Sequence, residues 1–149
     1  MLIEKHIKTK NLEEHKKALI NIIYTANYIN DEIGNVLKPF EISIQQFNVL
    51  RILKGQNDKP ANLSTIQDRM ITKMSNTTRL VDKLIDKSLV SRKICKQNRR
   101  KVEIIITDYG KSFLNKVNQQ VEAKEIELTQ NLNKEELKSI NKNLNQLRK

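Results

Sequence analysis

Cysteine is almost absent from the 149-residue sequence. Cys95 alone cannot form an internal disulfide, and one cysteine with two histidines cannot supply a closed four-ligand zinc site. We therefore expect no metal and no cofactor. No segment approaches the ~18–20 apolar residues that span a bilayer, and the first residues lack the apolar centre of a signal peptide. The expected location is the reducing cytoplasm, with no membrane partner.

Helix-breaking residues and large aromatic residues are also scarce, with three glycines, two prolines and no tryptophan. The scarcity of helix-breaking residues favours a mostly helical protein. The scarcity of large aromatic residues favours a modest hydrophobic core. The sequence also lacks a Gly-x-Ser-x-Gly motif, a glycine-rich phosphate loop and any histidine beyond His15. Nothing in the sequence therefore favours an enzyme.

Acidic residues are outnumbered: 17 Asp and Glu stand against 28 Lys and Arg, for a net charge of +11. The excess is concentrated in residues 73–101, which hold ten basic residues and two acidic ones. A solvated surface normally mixes both signs, so this basic segment indicates a polyanionic partner, either nucleic acid or an anionic membrane surface. A membrane role is disfavoured because the apolar faces of the segment are needed inside the fold.

The first half of the chain predicts helices with recognisable ends. Apolar residues recur at helical spacing over residues 11–37, and Pro39 ends that helix. The run 43–46, Ser-Ile-Gln-Gln, has the form of a capping box before a second helix that buries Phe47 and Leu50.

Two shorter helices are predicted next. Asn62 or Ser64 can cap a helix that runs to about Ile71, and Thr72 can cap another that runs to about Lys87. Three short helices with tight connections predict a helix-turn-helix unit.

After these helices, the spacing of apolar residues changes to the one typical of β-strands. Residues 89–94 and 101–106 are predicted strands, and the polar residues 95–100 between them fit a β-hairpin. Thr107 can cap a long helix after the hairpin, and Asn133 begins a capping box before the last helix. The predicted fold is therefore mainly α with a small β-hairpin wing (α+β).

The terminal helices carry apolar stripes that the small centre cannot bury alone. We expect residues 1–37 and 111–149 to form a helical dimerisation region and residues 38–110 a winged helix-turn-helix lobe, all within one chain domain. The stripes favour a homodimer. The alternative is that the same helices simply cover a monomeric core.

The helix predicted after Thr72 has one polar, basic face. At about 100° per residue, its outward arc carries Ser75, Asn76, Arg79 and Lys83. Short polar side chains near the tip can contact base edges in a major groove, Arg can bond guanine, and cations further along meet phosphates. For this helix alone, an ordinary exposed amphipathic helix is the better explanation of the pattern.

The predicted hairpin favours DNA binding over an ordinary exposed surface. A loop bearing Arg100 beside such a helix can enter the adjacent minor groove, whose negative potential attracts guanidinium groups, and Asn98 can hydrogen-bond there or orient Arg100. Helix, hairpin and charge together favour winged-helix DNA binding.

Five segments in this order and spacing resemble the MarR family of bacterial transcription regulators. They are SIQQFNVL (43–50), KMSNTTRLVDKL (73–84), LVSR (89–92), NRR (98–100) and ITDYG (106–110). The resemblance implies a triangular homodimer with interlocked terminal helices, a recognition helix at 73–87 and a wing at about 95–100. Two departures stand out: Asn98 replaces the usual wing Asp, and Ser88 occupies a position where the family often has Gly.

The resemblance places base and backbone contacts on the helix and the wing, and the basic segment adds phosphate contacts. The candidate DNA-binding residues are Lys73, Ser75, Asn76, Thr78, Arg79, Lys83, Asn98, Arg99 and Arg100.

Regulation by a small aromatic ligand is a further implication of the resemblance. The expected site is the crevice between the two lobes, lined by the first, second and fifth helices. Tyr24, Tyr28, Phe47 and Phe113 could line it, although each is better explained as a plain core or interface residue.

The sequence thus predicts a dimeric, sequence-specific regulator that binds a pseudo-palindromic double-stranded operator, as a repressor relieved by a small ligand. The alternative is a non-specific nucleic-acid binder, or a partner-binding winged-helix module without an operator of its own.

Overall fold

The computed structural model describes residues 2–9, 11–73, 76–98 and 101–149. Over these ranges the chain is mainly α-helical with one antiparallel hairpin, which confirms the predicted fold class. The elements are α1 Ile3–His6, α2 Glu14–Leu37, a 3-10 turn Lys38–Phe40, α3 Ile44–Lys54, α4 Leu63–Arg69, α5 Thr77–Asp86, β1 Val90–Ile94, β2 Val102–Ile106, α6 Asp108–Thr129 and α7 Lys134–Leu147.

The long N-terminal helix starts later than predicted. It begins at Glu14 rather than 11, because Glu13 has extended backbone angles and makes no side-chain cap. Pro39 ends it as expected, within the 3-10 turn. The short helix α1 was not predicted; it is held by the buried Ile3 and by an ion pair between Glu4 and Lys17, which no local pattern reveals.

The capping predictions for three other helices are confirmed. The Ser43 hydroxyl accepts the Gln46 N–H at 3.1 Å, and the Ser43 N–H donates to Gln46 Oε1 at 2.9 Å, which completes the capping box of α3. Thr107 caps α6, and Asn133 forms the capping box of α7.

The predicted helix from Thr72 to about Lys87 is wrong at its start. The helix begins at Thr77, and Asn76 is its N-cap, with Oδ1 accepting the Arg79 N–H at 3.1 Å. Asn is the stronger cap, since its carboxamide satisfies an orphan N–H more effectively than Thr does.

The preceding helix also differs from prediction at one end. Asn62 caps α4 by accepting the Thr65 N–H at 2.7 Å, but the helix ends at Arg69 rather than about Ile71.

The hairpin pairs Val90 with Ile106 and Ile94 with Val102. A further antiparallel bridge joins Ala61 to Ile104, so the segment before α4 is tied to β2. Ser88, just before β1, has φ 60°, the left-handed conformation that glycine adopts at lower cost. The backbone therefore keeps a turn for which Ser is not the best residue.

One hydrophobic core lies beneath the hairpin and is built from α3, α5 and α6. Its fully buried side chains include Leu50, Leu84, Ile104 and Leu114. The helices at the two ends contribute much less to it: α7 has no buried residue, and the middle of α2 is exposed along its length. None of the described helices combines the length and apolarity needed to cross a membrane.

Candidate nucleic-acid interface

The helix α5 has the two faces that its sequence predicts. Thr77, Val81 and Leu84 are buried, whereas Thr78 and Arg79 are exposed. Lys83 lies on the same exposed face, one turn after Arg79. The polar, basic arc is therefore open to a partner, while the apolar arc anchors the helix to the core.

Asn76 stands at the tip of this face, before the helix rather than within it. Its carboxamide oxygen is engaged as the N-cap of α5. The NH₂ group is what remains to donate to a base edge. A bidentate contact with adenine needs both the oxygen and the NH₂ group, so capping limits what Asn76 can recognise.

Lys73 is tied to the preceding helix. Its ammonium donates to the carbonyl of Asp68 and, at 3.5 Å, to that of Gln67. Cations at the carboxyl end of a helix satisfy its last carbonyls. Lys73 therefore closes α4, a role that the sequence did not predict for it.

A shallow cavity of about 320 Å³ lies between the start of α3 and the exposed face of α5. Polar and charged residues line it, apart from Leu80, and two of them are cations. The lining residues are Ser43, Gln45, Gln46, Asn76, Arg79, Leu80 and Lys83.

Helix α5 is connected to the hairpin by an ion pair that the sequence analysis missed. Asp82, on the exposed face of α5, pairs with Arg92 of β1; the two side chains are 51% and 37% exposed. Their opposite charges were visible in the sequence, but their proximity depends on how the hairpin folds back. The pair neutralises the carboxylate that would otherwise oppose phosphates on this face.

The turn of the hairpin is closed by backbone hydrogen bonds. The Asn98 N–H donates to the Cys95 carbonyl at 3.2 Å, and the Asn98 carbonyl accepts the Lys101 N–H at 2.8 Å. Of the predicted contacts, Ser75, Arg99 and Arg100 lie outside the described residues.

The cations of this region are largely available for an anion. Within the described part of the chain, Arg79 and Lys83 of α5 and Lys93, Lys96 and Lys101 of the hairpin form no ion pair. Unpaired exposed cations create a positive potential, which attracts a polyanion and makes its binding depend on salt.

The structure does not bring the four aromatic ligand candidates together. Tyr24 and Tyr28 are exposed on α2, in a hollow of about 230 Å³ beside α1, where the Tyr24 ring lies 4.3 Å from that of His6. Phe47 is 2% exposed in the core, and Phe113 is half-buried edge-on to Phe40.

Of the three helices expected to line the crevice, α3 and α6 enclose a polar hollow of about 300 Å³, and none of these four aromatics lines it. Its lining residues are Arg51, Asn118, Val121, Glu122 and Glu125.

Comparison with known proteins gives consistent matches. The MarR family model matches residues 42–102. The HTH-type transcriptional regulator MhqR of Bacillus subtilis (strain 168) is 30% identical over 105 residues, which cover 70% of this chain and 71% of that protein. A second B. subtilis protein, the HTH-type transcriptional regulator YpoP, is 31% identical over 91 residues, covering 61% of this chain and 62% of that protein.

Solved structures share the fold across nearly the whole chain. A MarR transcription factor from Planctomyces limnophilus is 26% identical, with a TM-score of 0.71 and coverage of 91% of this chain and 98% of that one. A MarR mutant from E. coli complexed with operator DNA superposes with a TM-score of 0.78 at 22% identity, covering 93% and 99% of the two chains. An organohalide-sensing regulator with bound 2,4-dichlorophenol gives 0.83 at 17% identity, covering 93% and 81%. The architecture of α5 and the hairpin is thus that of a winged helix-turn-helix.

Proposed function

This chain belongs to the MarR family of transcription regulators, and we propose that it is a cytoplasmic, dimeric repressor, not an enzyme, that binds a pseudo-palindromic double-stranded operator. The observation that carries the proposal is the exposed, unpaired cationic face of α5 beside the hairpin. In this proposal residues 38–110 form the DNA-binding lobe, and residues 1–37 and 111–149 form the dimerisation region.

Three side chains of α5 contribute to recognition. Arg79 is the third residue of α5, within its first turn, where a guanidinium can bond O6 and N7 of guanine, and Thr78 beside it can contact a neighbouring base. Lys83 lies further along, where the helix leaves the groove and meets phosphates. Phosphate contacts position the protein, and base contacts supply the sequence preference.

Dimerisation explains the apolar surface of the terminal helices. Ile22 and Ile29 of α2 are 36% and 42% exposed, and Ile140 of α7 is 42% exposed. With Leu144 they line an apolar groove of about 350 Å³ between the two helices. Covering this groove with the same helices of a second copy would remove the apolar area from water. To read two half-sites, such a dimer would have to hold its two α5 helices about one turn of DNA apart, ~34–36 Å.

The hollow of Tyr24 and Tyr28 is our proposed site for a small aromatic ligand. Two exposed tyrosine rings and the His6 ring offer stacking faces, and the hollow lies on the dimerisation region. A ligand that binds one arrangement of the dimer more tightly than another shifts the spacing of the two α5 helices. Titration of the protein–DNA complex with 2,4-dichlorophenol, with Tyr24→Leu as the matched variant, tests this part.

Selection of bound sequences from a random DNA pool tests the central proposal. We expect an inverted repeat, and we expect Arg79→Ala to relax the preference at one position in each half-site by about 1–3 kcal/mol. Lys83→Ala should weaken binding to all sequences and lower the salt slope by about 1. Lys59→Ala, an exposed cation in the loop before α4, is the control and should change neither.

A non-specific nucleic-acid binder would give a different result in the same assay. The proposed repressor should prefer its selected site over bulk DNA by ~10³-fold or more. Equal competition by bulk DNA, together with no enriched sequence, would contradict sequence-specific regulation.

A further inference from the structure

A second basic cavity lies away from the exposed face of α5 and the hairpin. It has a volume of about 350 Å³ and lies between the second half of α3 and the segment that follows α4. Its size is at the lower end of the range for small-molecule sites. Its lining residues are Asn48, Arg51, Ile52, Gly55, Arg69 and Ile71.

The two arginines of this cavity have no anionic partner within the described ranges. Arg51 comes from α3 and Arg69 from the last turn of α4, and neither makes a hydrogen bond or an ion pair through its guanidinium with the residues that the structure describes. No Asp or Glu lines the cavity. Guanidinium groups match carboxylates and phosphates with paired N–H donors, so two of them on one cavity favour an oxyanion.

Arg51 is held in place before any ligand arrives. Its guanidinium lies over the ring of the buried Phe47, 5.6 Å from the ring centre. Stacking on a fixed aromatic face restricts the side chain and leaves its edge N–H groups available. Restricting a long side chain in advance lowers the entropy that binding has to offset.

Apart from the Asn48 amide, the rest of the lining is apolar. Ile71 is 88% exposed, the largest exposed fraction among the large apolar side chains of the described residues. Ile52 of α3 is half-buried beside it, and Gly55 contributes no side chain. A single exposed Ile is common on protein surfaces. An exposed Ile on the same cavity as two unpaired arginines, however, matches a ligand with an anionic end and an apolar body.

We propose that this cavity binds a small amphipathic anion, namely an aliphatic chain that ends in a carboxylate or a phosphate. The oxyanion lies between Arg51 and Arg69, with the Asn48 amide as a further donor, and the chain covers Ile52 and Ile71. The proposal that the anion binds depends only on the cavity and not on the proposed function.

Its regulatory consequence rests on the proposed function. An anion shared by Arg51 and Arg69 would join α3 to the end of α4, the helix that precedes α5 in the chain. Occupancy would therefore change how Asn76 and Arg79 are presented to DNA.

The test uses the full chain without DNA, followed by methyl NMR of its isoleucines, with hexanoate, hexyl phosphate, hexanol and acetate as probes. We expect hexanoate or hexyl phosphate to shift the Ile52 and Ile71 methyl signals saturably, and the tighter of the two identifies the headgroup. Hexanol, which lacks the charge, and acetate, which lacks the chain, should each bind at least about tenfold more weakly. Equal binding of hexanol would overturn the anion site.

Variants separate this cavity from the rest of the surface. Arg51→Gln and Arg69→Gln should each weaken binding of the tighter probe at least about tenfold, and Ile71→Ser should weaken it by shortening the apolar wall. Lys59→Gln, a nearby exposed cation outside the cavity, should leave it unchanged. Binding unaffected by both arginine substitutions would overturn the proposal.

DNA titration then distinguishes the two proposals. If neither anionic probe binds the parent protein while Arg51→Gln and Arg69→Gln reduce the salt slope of DNA binding, these arginines contact the DNA backbone and the ligand site is refuted. If the probe binds as expected but no operator is selected, the cavity stands and the proposed repressor function fails.

Discussion

Gly110 lies directly against the carbonyl oxygen of Leu89: a Cβ placed on Gly110 would be 2.0 Å from that oxygen. The same carbonyl accepts the Thr107 N–H at 3.1 Å, and the Gly110 N–H donates to the Thr107 hydroxyl at 2.8 Å. The start of α6 and the residue before β1 thus meet backbone to backbone. This close approach fixes the base of the hairpin on the core.

Gly110→Ala should destabilise the protein by about 1–3 kcal/mol or more, because the obstacle is backbone rather than a flexible side chain. Urea unfolding measures the loss. Gly34→Ala is the matched control: no atom lies within 4 Å of a Cβ at Gly34, in the interior of α2. It should stabilise by about 0.5–1 kcal/mol, since Ala loses less backbone entropy in a helix. Equal unfolding midpoints for the two variants would contradict the backbone contact.

Substitutions of Asn76 should separate its capping role from base recognition. Asn76→Ala should lower the free energy of unfolding by about 1 kcal/mol, because the N–H of Arg79 loses its acceptor. Asn76→Ser keeps a good cap, and we expect it to retain stability and most of the base preference. Thermal unfolding and selection from a DNA pool measure the two quantities. If Asn76→Ser relaxes the sequence preference as much as Arg79→Ala does, the Asn76 amide recognises a base.

The Asp82–Arg92 pair should matter for specificity more than for stability. Both side chains are partly exposed, so Asp82→Asn should change the free energy of unfolding by less than about 1 kcal/mol. It should, however, release the hairpin strand from α5, lowering the ratio of operator to random-DNA affinity. Random-DNA affinity itself should rise, because one negative charge is removed from the interface.

Asp86→Asn provides the control on the same helix. Asp86 is exposed and forms no ion pair with any residue in the described ranges. Its substitution should raise random-DNA affinity without altering the preferred sequence. If the two variants behave identically in competition binding, Arg92 does not position the hairpin through Asp82.

Attachment of α1 should depend on pH at both ends of the scale. The hydrogen bond from Lys17, 2.5 Å from Glu4 Oε1, holds the pKa of Glu4 below its ordinary 4.5, and the same bond raises the pKa of Lys17 above 10.5. The pair therefore contributes stability above pH 4.5 that is lost as pH falls through the lowered pKa of Glu4. The pair also contributes stability below pH 10.5, and this contribution is lost as pH rises through the raised pKa of Lys17.

Amide hydrogen exchange over residues 3–9, compared at several pH values after correction for intrinsic rates, measures this attachment. Glu4→Gln should remove the acid-side loss, because the amide does not titrate in that range. If the Glu4→Gln variant still loses protection at low pH as the parent protein does, another group causes the pH dependence.

Much of the fold followed from local patterns in the sequence. Pro39, Ser43 with Gln46, Thr107 and Asn133 end or begin helices as predicted, because each cap or break is satisfied within about four residues of chain. The hairpin and the exposed face of α5 were predicted in the same way, from the spacing of apolar residues and the positions of basic residues. At the start of α5 the local pattern predicted Thr72 as the cap, but the cap is Asn76.

The sequence by itself therefore determined the order of elements from α2 onward, the basic face and the family. Only the tertiary structure decided which distant groups meet: Asp82 with Arg92, Gly110 with the Leu89 carbonyl, and Arg51 with Arg69 around one cavity. It also decided that Phe47 is a core residue while Tyr24 stays exposed. The physical reason is range, since capping and periodicity act within a turn or two of chain, whereas burial and ion pairing depend on surfaces that exist only once the helices have packed.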